Sequence, residues 1–455
     1  MRQIVAFLVP LRWQTYSNSR RAIPVYAMTV ANGKPSYHDA VEKLNSTQSS
    51  YKTLQERKGM GRRSEASLLE QMQQWVRRVG YDTSDFNRLN IVHVRGTKGK
   101  GSTCAFIDRV PRKVGLYTSP HLVTDRERIQ INSEPISEEK FTKYFFEVWD
   151  ALESSALLRE GLDPVGVGGE NDSTNVIVQP AVTGITTLGI DHVDLLGNTV
   201  DKIAWHKAGI FKNQCPAFTV EQVSDAMEVL KERAGEKGAR LATVTIDPAI
   251  RDVDIKPAED FQRNNASLAI ALAYTALEKL GVSFNKEQGS IPKPFFEGLE
   301  TVTWRGRCET FTRGQLHWHL DGAHTEDSLI VACSWFGRVS KEKSLPCVLI
   351  FNQQSARDAI SLLKCVSSIS LKDLDDRNAA PEVLRNLTLR KNWQLPDITK
   401  VVALYSIEEA VEHVRNISGH IGETRALVTG SFRLVGGALS ILEEENIAHG
   451  KSTAN

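Results

Sequence analysis

Apolar side chains recur with helical spacing between Ser64 and Val79, where Leu68, Leu69, Met72, Trp75, Val76 and Val79 mark one face and Gly80 stops the run. From Leu89 to Val94 the spacing changes to a short apolar run followed by glycines, the pattern of a strand buried on both faces. A helix is predicted from about Ser102, a strand at Val114–Thr118, a buried strand over Thr183–Ile190, and an alanine-rich helix over Asp260–Leu280. Further strands are predicted at Leu316–Leu320, Cys347–Phe351, Lys400–Leu404 and Ala426–Thr429. Strands that alternate with helices favour parallel sheets covered on both faces, an α/β fold. Gly289, Pro292, Pro294 and Gly298 crowd the stretch from Lys286 to Trp304, which reads as a linker between two α/β domains meeting near residue 305. No internal repeat interrupts this pattern.

Composition narrows the picture. At roughly 150 residues per domain, a 455-residue chain suggests two or three domains. A 41% hydrophobic content supplies a core without staples. With 56 basic and 55 acidic side chains, the net charge of +1 argues against a nucleic-acid partner. The six cysteines form no CxxC pair, so free thiols in a reducing compartment are expected. No apolar run reaches the ~18 residues of a membrane span. Between Met1 and His38 there is no acidic residue, while Arg2, Arg12, Arg20, Arg21 and Lys34 are basic. Such a leader resembles a mitochondrial transit peptide, and Met28 offers a cytosolic start. The expected location is therefore mitochondrion and cytoplasm, with 1–35 as leader, 36–303 as one domain and 304–455 as the other. A disordered basic tail is the plainer reading of the same residues.

Residues 96–103 carry the sharpest chemistry: Gly-Thr-Lys-Gly-Lys-Gly-Ser-Thr, after a predicted strand and before a predicted helix. Glycines let backbone N–H groups turn toward phosphate oxygens, Lys100 can neutralise β/γ charge, and the helix N-terminus adds its dipole. Ser102 or Thr103 can offer a hydroxyl to a phosphate or its magnesium. The lysine precedes the last glycine, so the spacing is not the usual GxxxxGK[ST]; the strand–loop–helix context makes the case for ATP.

This loop, followed by Tyr117-Thr-Ser-Pro-His-Leu122 and Arg126-Glu-Arg-Ile129, resembles the folylpolyglutamate synthases of the Mur-ligase family. The likeness continues through Gly166-Val-Gly-Gly169, Asp172-Ser-Thr-Asn175, Leu188-Gly-Ile-Asp-His192 and Ile203–Phe211, then Leu320-Asp-Gly-Ala-His324 and Leu427-Val-Thr-Gly-Ser431. It implies a P-loop parallel-sheet ATPase domain and a smaller Rossmann-like domain closing over the nucleotide. The implied reaction is ATP-driven addition of L-glutamate to the γ-carboxylate of a tetrahydrofolate or folylpolyglutamate through an acyl phosphate. The implied cofactors are ATP and Mg²⁺, with a monovalent cation such as K⁺ also compatible, and the chain is expected to be a monomer. By the same resemblance Gly99, Lys100, Gly101 and Ser102 hold phosphates, Arg307 and Asp321 contact ATP, and Ser119 and His192 match magnesium ligands. Lys207 matches a lysine that the family carbamylates, and His324 closes a family motif without an assigned role; Lys100, Lys207 and His324 are the catalytic candidates.

Taken singly, these residues have ordinary readings: His192 as a loop histidine, Ser119 as a turn serine, Lys207 as a surface lysine. Asp321-Gly322 would be a turn. His317 and His319 alternate on a strand and read as lining a sheet face. Arg126 and Arg128 fit a solvated edge or a contact to folate carboxylates. The order of the whole set changes those readings.

The sequence also departs from the family. Pro164 stands where the family has a magnesium-binding glutamate, and the strand and helix before it look absent; Asp163, Glu160 or Glu170 could stand in. The helix after the phosphate loop meets Pro111 early, a strand expected between Leu363 and Asp373 is missing, and Arg95 replaces a small residue. These losses fit either wrongly excised coding segments or a degraded paralogue that binds nucleotide without ligating, and the chain as written is expected to have greatly weakened activity. The nearer enzymatic alternative is dihydrofolate synthase.

Overall fold

The computed structural model describes residues 4–9, 34–47, 65–110, 113–154, 168–282, 291–340, 345–353, 362, 366, 382–385, 401–404 and 406–450. The chain divides into two compact units, one comprising Met1–His121 and Asp125–Thr303, the other Leu122–Thr124 and Trp304–Asn455.

In the first unit the elements run β1 (Ile4–Val9), α1 (Tyr37–Ser46), α2 (Glu65–Arg78), β2 (Ile91–Arg95), α3 (Lys100–Asp108), β3 (Lys113–Thr118), β4 (Ile129–Ile131), β5 (Glu134–Pro135) and α4 (Glu138–Ser154). They continue with β6 (Val182–Ile185), α5 (Val193–Leu196), α6 (Val200–Ala208), β7 (Pro216–Val220), α7 (Ser224–Lys237), β8 (Arg240–Val244), α8 (Asp260–Lys279) and α9 (Lys293–Thr301). The sheet order is β5-β4-β3-β1-β2-β6-β7-β8. Strands β2, β6, β7 and β8 pair in parallel, as the strand–helix alternation predicts.

Every residue of β2 is buried, His93 and Arg95 included, so the short run read there is a strand covered on both faces. Helix α8 buries its alanine and leucine stripe, and the bare backbone of Gly184 on β6 admits it: a Cβ there would lie 2.7 Å from Leu272 Cδ1. Ile185, Ala204, Ala208, Ile210, Phe211, Ala217 and Leu230 form one core between β6, β7, α6 and α7. Each large member contributes ~1.5–3 kcal/mol by leaving water.

Two expectations change. The stretch taken as linker contains α9, with Phe295, Gly298 and Leu299 buried. Prolines near the first turn start a helix, because the N–H groups they lack are unpaired there anyway. Gly298 lies against Arg109 O, 3.0 Å from where its Cβ would be. The leader reading covered Ile4–Val9, yet these residues form β1, antiparallel to both β2 and β3, with Ile4 level with Val94 and Thr118. The rest of 1–33 lies outside the described residues.

The second unit runs β9 (Glu309–Arg313), β10 (Leu316–Leu320), α10 (Glu326–Ser340), β11 (Cys347–Phe351), β12 (Glu382–Arg385), β13 (Val401–Ala403), α11 (Ile407–Ile421), β14 (Thr424–Thr429) and α12 (Phe432–Gly450). Its sheet order is β13-β12-β11-β14-β10-β9, parallel except for the β9–β10 hairpin. Strand residues alternate between two cores. Trp318, Val348 and Ile350 face α11 and α12, while Cys347, Leu349 and Phe351 pack with Leu329, Trp335 and Phe336 of α10. Most of Leu363–Asp373, like Pro111 and Pro164, lies outside the described residues; beside β11 the sheet is continued by β12.

Two outcomes follow from this architecture. A chain starting at Met28 lacks β1 and is expected to melt below the full chain; identical melting curves would show that the strand contributes nothing. His319 packs edge-on against Trp335 and Phe336, and burial pushes its pKa down to about 4. Unfolded, it protonates near its usual value of about 6.5. Its contribution is therefore complete above that value and is lost as pH falls toward 4, by up to about 3 kcal/mol. His319→Leu is expected to flatten the fall of melting temperature between pH 6.5 and 4, and an unchanged slope would contradict this.

Candidate functional site

The carboxyl ends of β2, β3 and β6 share one sheet edge, because Ile4 sits level with both Val94 and Thr118 and Arg95 pairs with Ile185. In open parallel sheets that edge is where ligands bind. It carries the phosphate loop after β2, Ser119 after β3, and Asp191–His192 beyond β6.

The loop's shape follows from its glycines. Gly96 has φ +147° and a Cβ there would lie 1.9 Å from Thr186 Oγ1. Gly99 has φ +84° and a Cβ would meet Asn265 Oδ1 at 2.1 Å. Thr97 N and Lys98 N donate to Thr187 O at 2.9 and 3.0 Å. Thr97 Oγ1 donates to Gly189 O at 3.0 Å, fastening the loop to the segment after β6. Lys100 Nζ donates to Gly96 O at 2.7 Å and Thr97 O at 2.8 Å. Gly99 caps α3 without a side-chain hydrogen bond, so the first-turn N–H groups and the helix dipole suit an anion. Gly101, Ser102 and Thr103 lie in that helix, with Ser102 and Thr103 buried.

Lys207 is 6% exposed, not the surface lysine that its sequence context alone suggests. Burial first, then Arg95, pulls its pKa down to about 8, while Asp191 and Asp172 oppose the shift. Gly168 and Gly169 pack on the end of α6; a Cβ on Gly169 would lie 2.4 Å from His206 O. Burial lowers His192 to about 4, against the opposing pull of Asp191 at 3.7 Å. Its imidazole is thus neutral at pH 7. Ser119 is half-buried at the end of β3. Lys100, Ser102, Ser119, His192 and Lys207 are all carried by elements at this end of the sheet or packed beside it.

The remaining candidates belong to the second unit. Asp321 is buried, which raises its pKa, whereas Arg307 and the N–H groups of Cys308 and Ala323 act to lower it. The Arg307 guanidinium lies 5.0 Å from the Phe432 ring centroid. His324 Nδ1 bonds Gly322 O at 3.1 Å.

The carboxylate of Glu170, one of the stand-ins that the sequence offers for a metal ligand, pairs with Arg233 and with Lys237. Glu160 and Asp163 lie outside the described residues. Among the described residues no three His, Cys, Asp or Glu side chains gather as a metal site. Ser119 and His192 therefore do not by themselves fit a protein-held magnesium, which favours one or two carboxylates. Arg126 donates to Ile136 O, and Arg128 meets His121 and Asp125, so neither is simply solvated.

Sequence reasoning missed Asn265, which with Gln262 is a buried amide in the alanine-rich stripe of α8. That polar interruption of an apolar face was the available signal. It also missed the buried pair of Arg95 with Asp172, whose carboxylate accepts from Thr174 N and Oγ1.

No family model matches the chain. It is 44% identical to the folylpolyglutamate synthase of Neurospora crassa, covering 91% of this chain and 93% of that protein. A Saccharomyces cerevisiae folylpolyglutamate synthase is 41% identical over 90% of this chain and 88% of its own length. The alignment with the Neurospora protein spans 491 positions, more than this chain's 455 residues, so that relative carries internal residues which this chain lacks. Among solved structures, the apo form of L. casei FPGS superposes with a TM-score of 0.67 at 20% identity, covering 90% of this chain and all of that one. An FPGS–AMPPCP–folate complex gives 0.64 at 22% identity, with the same coverage. At these identities the structural likeness is one of fold.

Gly99→Ala is expected to cost ~1–3 kcal/mol of stability through its strained φ. It should also weaken ATP binding measured by calorimetry; unchanged binding would remove the loop from the site.

Proposed function

The chain belongs to the folylpolyglutamate synthase family, and from that premise we propose that it works as an ATP-dependent ligase joining L-glutamate to the γ-carboxylate of a folate's glutamyl tail. The observation that carries this reading is the phosphate loop: two glycines at positive φ, an open helix N-terminus and Lys100 within reach of the loop's carbonyls.

A carboxylate resists attack by an amine because oxide is a hopeless leaving group. In the first step a carboxylate oxygen bonds to the γ-phosphorus of ATP and the β–γ bridging bond breaks, giving acyl phosphate and ADP. The glutamate amine then attacks the acyl carbon, the C–O bond breaks, and phosphate leaves as the amine loses its proton. No protein nucleophile is required; the protein positions reactants and offsets charge. Lys100 and the N–H groups around Gly99, Gly101 and Ser102 are assigned to the phosphates. Mg²⁺ would enter with the ATP phosphates and offset their charge; Ser119 and His192, matched to it by resemblance, are neutral side chains that do not by themselves hold it. Arg307 and Asp321 remain assigned to the nucleotide. Lys207, buried and with its pKa at about 8, is the lysine suited to carbamylation, since the neutral amine is the form that adds CO₂. His324 keeps no assigned step. Tetrahydrofolate is the assigned acceptor, the working state is a monomer, and the acid-free, arginine-bearing stretch before His38, part of which also supplies β1, supports a mitochondrial form beside a cytosolic one.

The test is phosphate release that requires both glutamate and tetrahydrofolate, together with a mass gain of one glutamyl residue on the folate. Lys100→Ala is expected to slow it by at least ~100-fold. Because the internal segments are missing, the rate should lie below that of the Neurospora relative assayed alongside. No glutamate-dependent release would leave a nucleotide-binding remnant, and growth rescue on pteroate would favour dihydrofolate synthase.

A further inference from the structure

Beyond Ile185, strand β6 runs on into Thr186–Gly189, the segment to which the phosphate loop is tied. Thr187 O accepts from Thr97 N and Lys98 N at 2.9 and 3.0 Å. The Thr97 hydroxyl donates to Gly189 O at 3.0 Å and accepts from Gly189 N at 3.1 Å. Thr186 N donates to Arg95 O at 2.7 Å, and a Cβ on Gly96 would lie 1.9 Å from Thr186 Oγ1. Loop and segment are thus interlocked, and a shift of one displaces the other. The segment also leads directly into Asp191 and His192.

Strand β6 lies between β2 and β7 in the sheet, and its parallel pairing with β7 reaches only to Ile185 beside Thr219. Past that point the amide of Gln222 takes over. This half-buried residue sits two positions beyond the end of β7 and just before α7. Its Oε1 accepts from Leu188 N at 3.0 Å, while Nε2 donates to Thr186 O at 3.2 Å and to Thr219 Oγ1 at 3.1 Å. The segment therefore asks for one acceptor and one donor on its β7 side. Among side chains of that length, a primary amide is the one that supplies both at neutral pH. Thr186 and Leu188 are held by Gln222, and Thr187 and Gly189 hold the loop.

We propose that Gln222 is a positioning residue of the nucleotide site, its amide fixing Thr186–Gly189 so that the phosphate loop and His192 keep one geometry. The inference rests on the nucleotide reading above and adds to it a residue with no assigned contact to the reacting atoms. A misplacement of ~1 Å caused from a distance is enough to cost ~100-fold in rate.

The experiment is a double-mutant cycle on Mg-ATP affinity, measured by calorimetry at a temperature where circular dichroism shows each variant folded. Gln222→Met keeps the length but neither donates nor accepts, and Thr97→Val removes the hydroxyl tether at constant shape. Each is expected to weaken binding at least ~10-fold, and the double variant to fall short of the product of the two losses by at least ~3-fold. A Gln222→Met chain that melts earlier yet binds ATP like the native chain would reduce the residue to a structural brace and overturn the proposal, as would losses that simply multiply. Hydrogen–deuterium exchange at the Leu188 amide of the native chain needs no variant. It is expected to run at least ~100-fold slower than in an unstructured peptide and to slow further with Mg-ATP. Exchange at the unstructured rate, or indifferent to nucleotide while Thr97–Thr103 respond, would also overturn it. A native chain that binds no ATP would sink the nucleotide reading itself, whereas native binding with Gln222→Met unimpaired would sink only the role of Gln222.

Discussion

Lys100 Nζ donates to two carbonyls of its own loop, Gly96 O and Thr97 O. Charge-assisted bonds of this kind contribute ~1.5–3 kcal/mol each. They hold the segment between β2 and α3 in a closed turn that an alanine at position 96 or 99 could not share with Thr186 or Asn265. In the proposed ligase a phosphate would compete with those carbonyls for the same ammonium, making loop closure and anion binding two uses of one cation. Thr187 O and Gly189 O tether the loop to the segment after β6, and Asn265 backs it from α8.

Much of this was legible because glycine and charge patterns state backbone needs directly. The run from Gly96 to Thr103 could be read as a phosphate loop since φ above zero and open N–H groups call for glycine. The buried strand at Cys347–Phe351 was legible as an unbroken apolar run, and Ile91–Arg95 from Ile91, Val92 and Val94 in spite of His93 and Arg95. Helix α9 was not, because Pro292 and Pro294 look like breakers unless one knows they open the helix. Lys207 reads as exposed by residue type, and only the fold buries it behind Gly168–Gly169. Pairing across 77 residues, as between Arg95 and Asp172, leaves no local trace in a single sequence.

Ile4–Val9 runs between β2 and β3, and Glu382–Arg385 pairs beside β11. An antiparallel strand placed as Ile4–Val9 is supplies backbone hydrogen bonds to both neighbours. Arg95 and Lys207 are both buried in this first unit.

Hydrogen–deuterium exchange at the amides of Thr97–Thr103, with and without Mg-ATP, probes this account at its centre. Slower exchange there on adding nucleotide, with the amides of β8 unchanged, is the result it requires. Exchange at those amides that is indifferent to nucleotide, while another region slows, would contradict it.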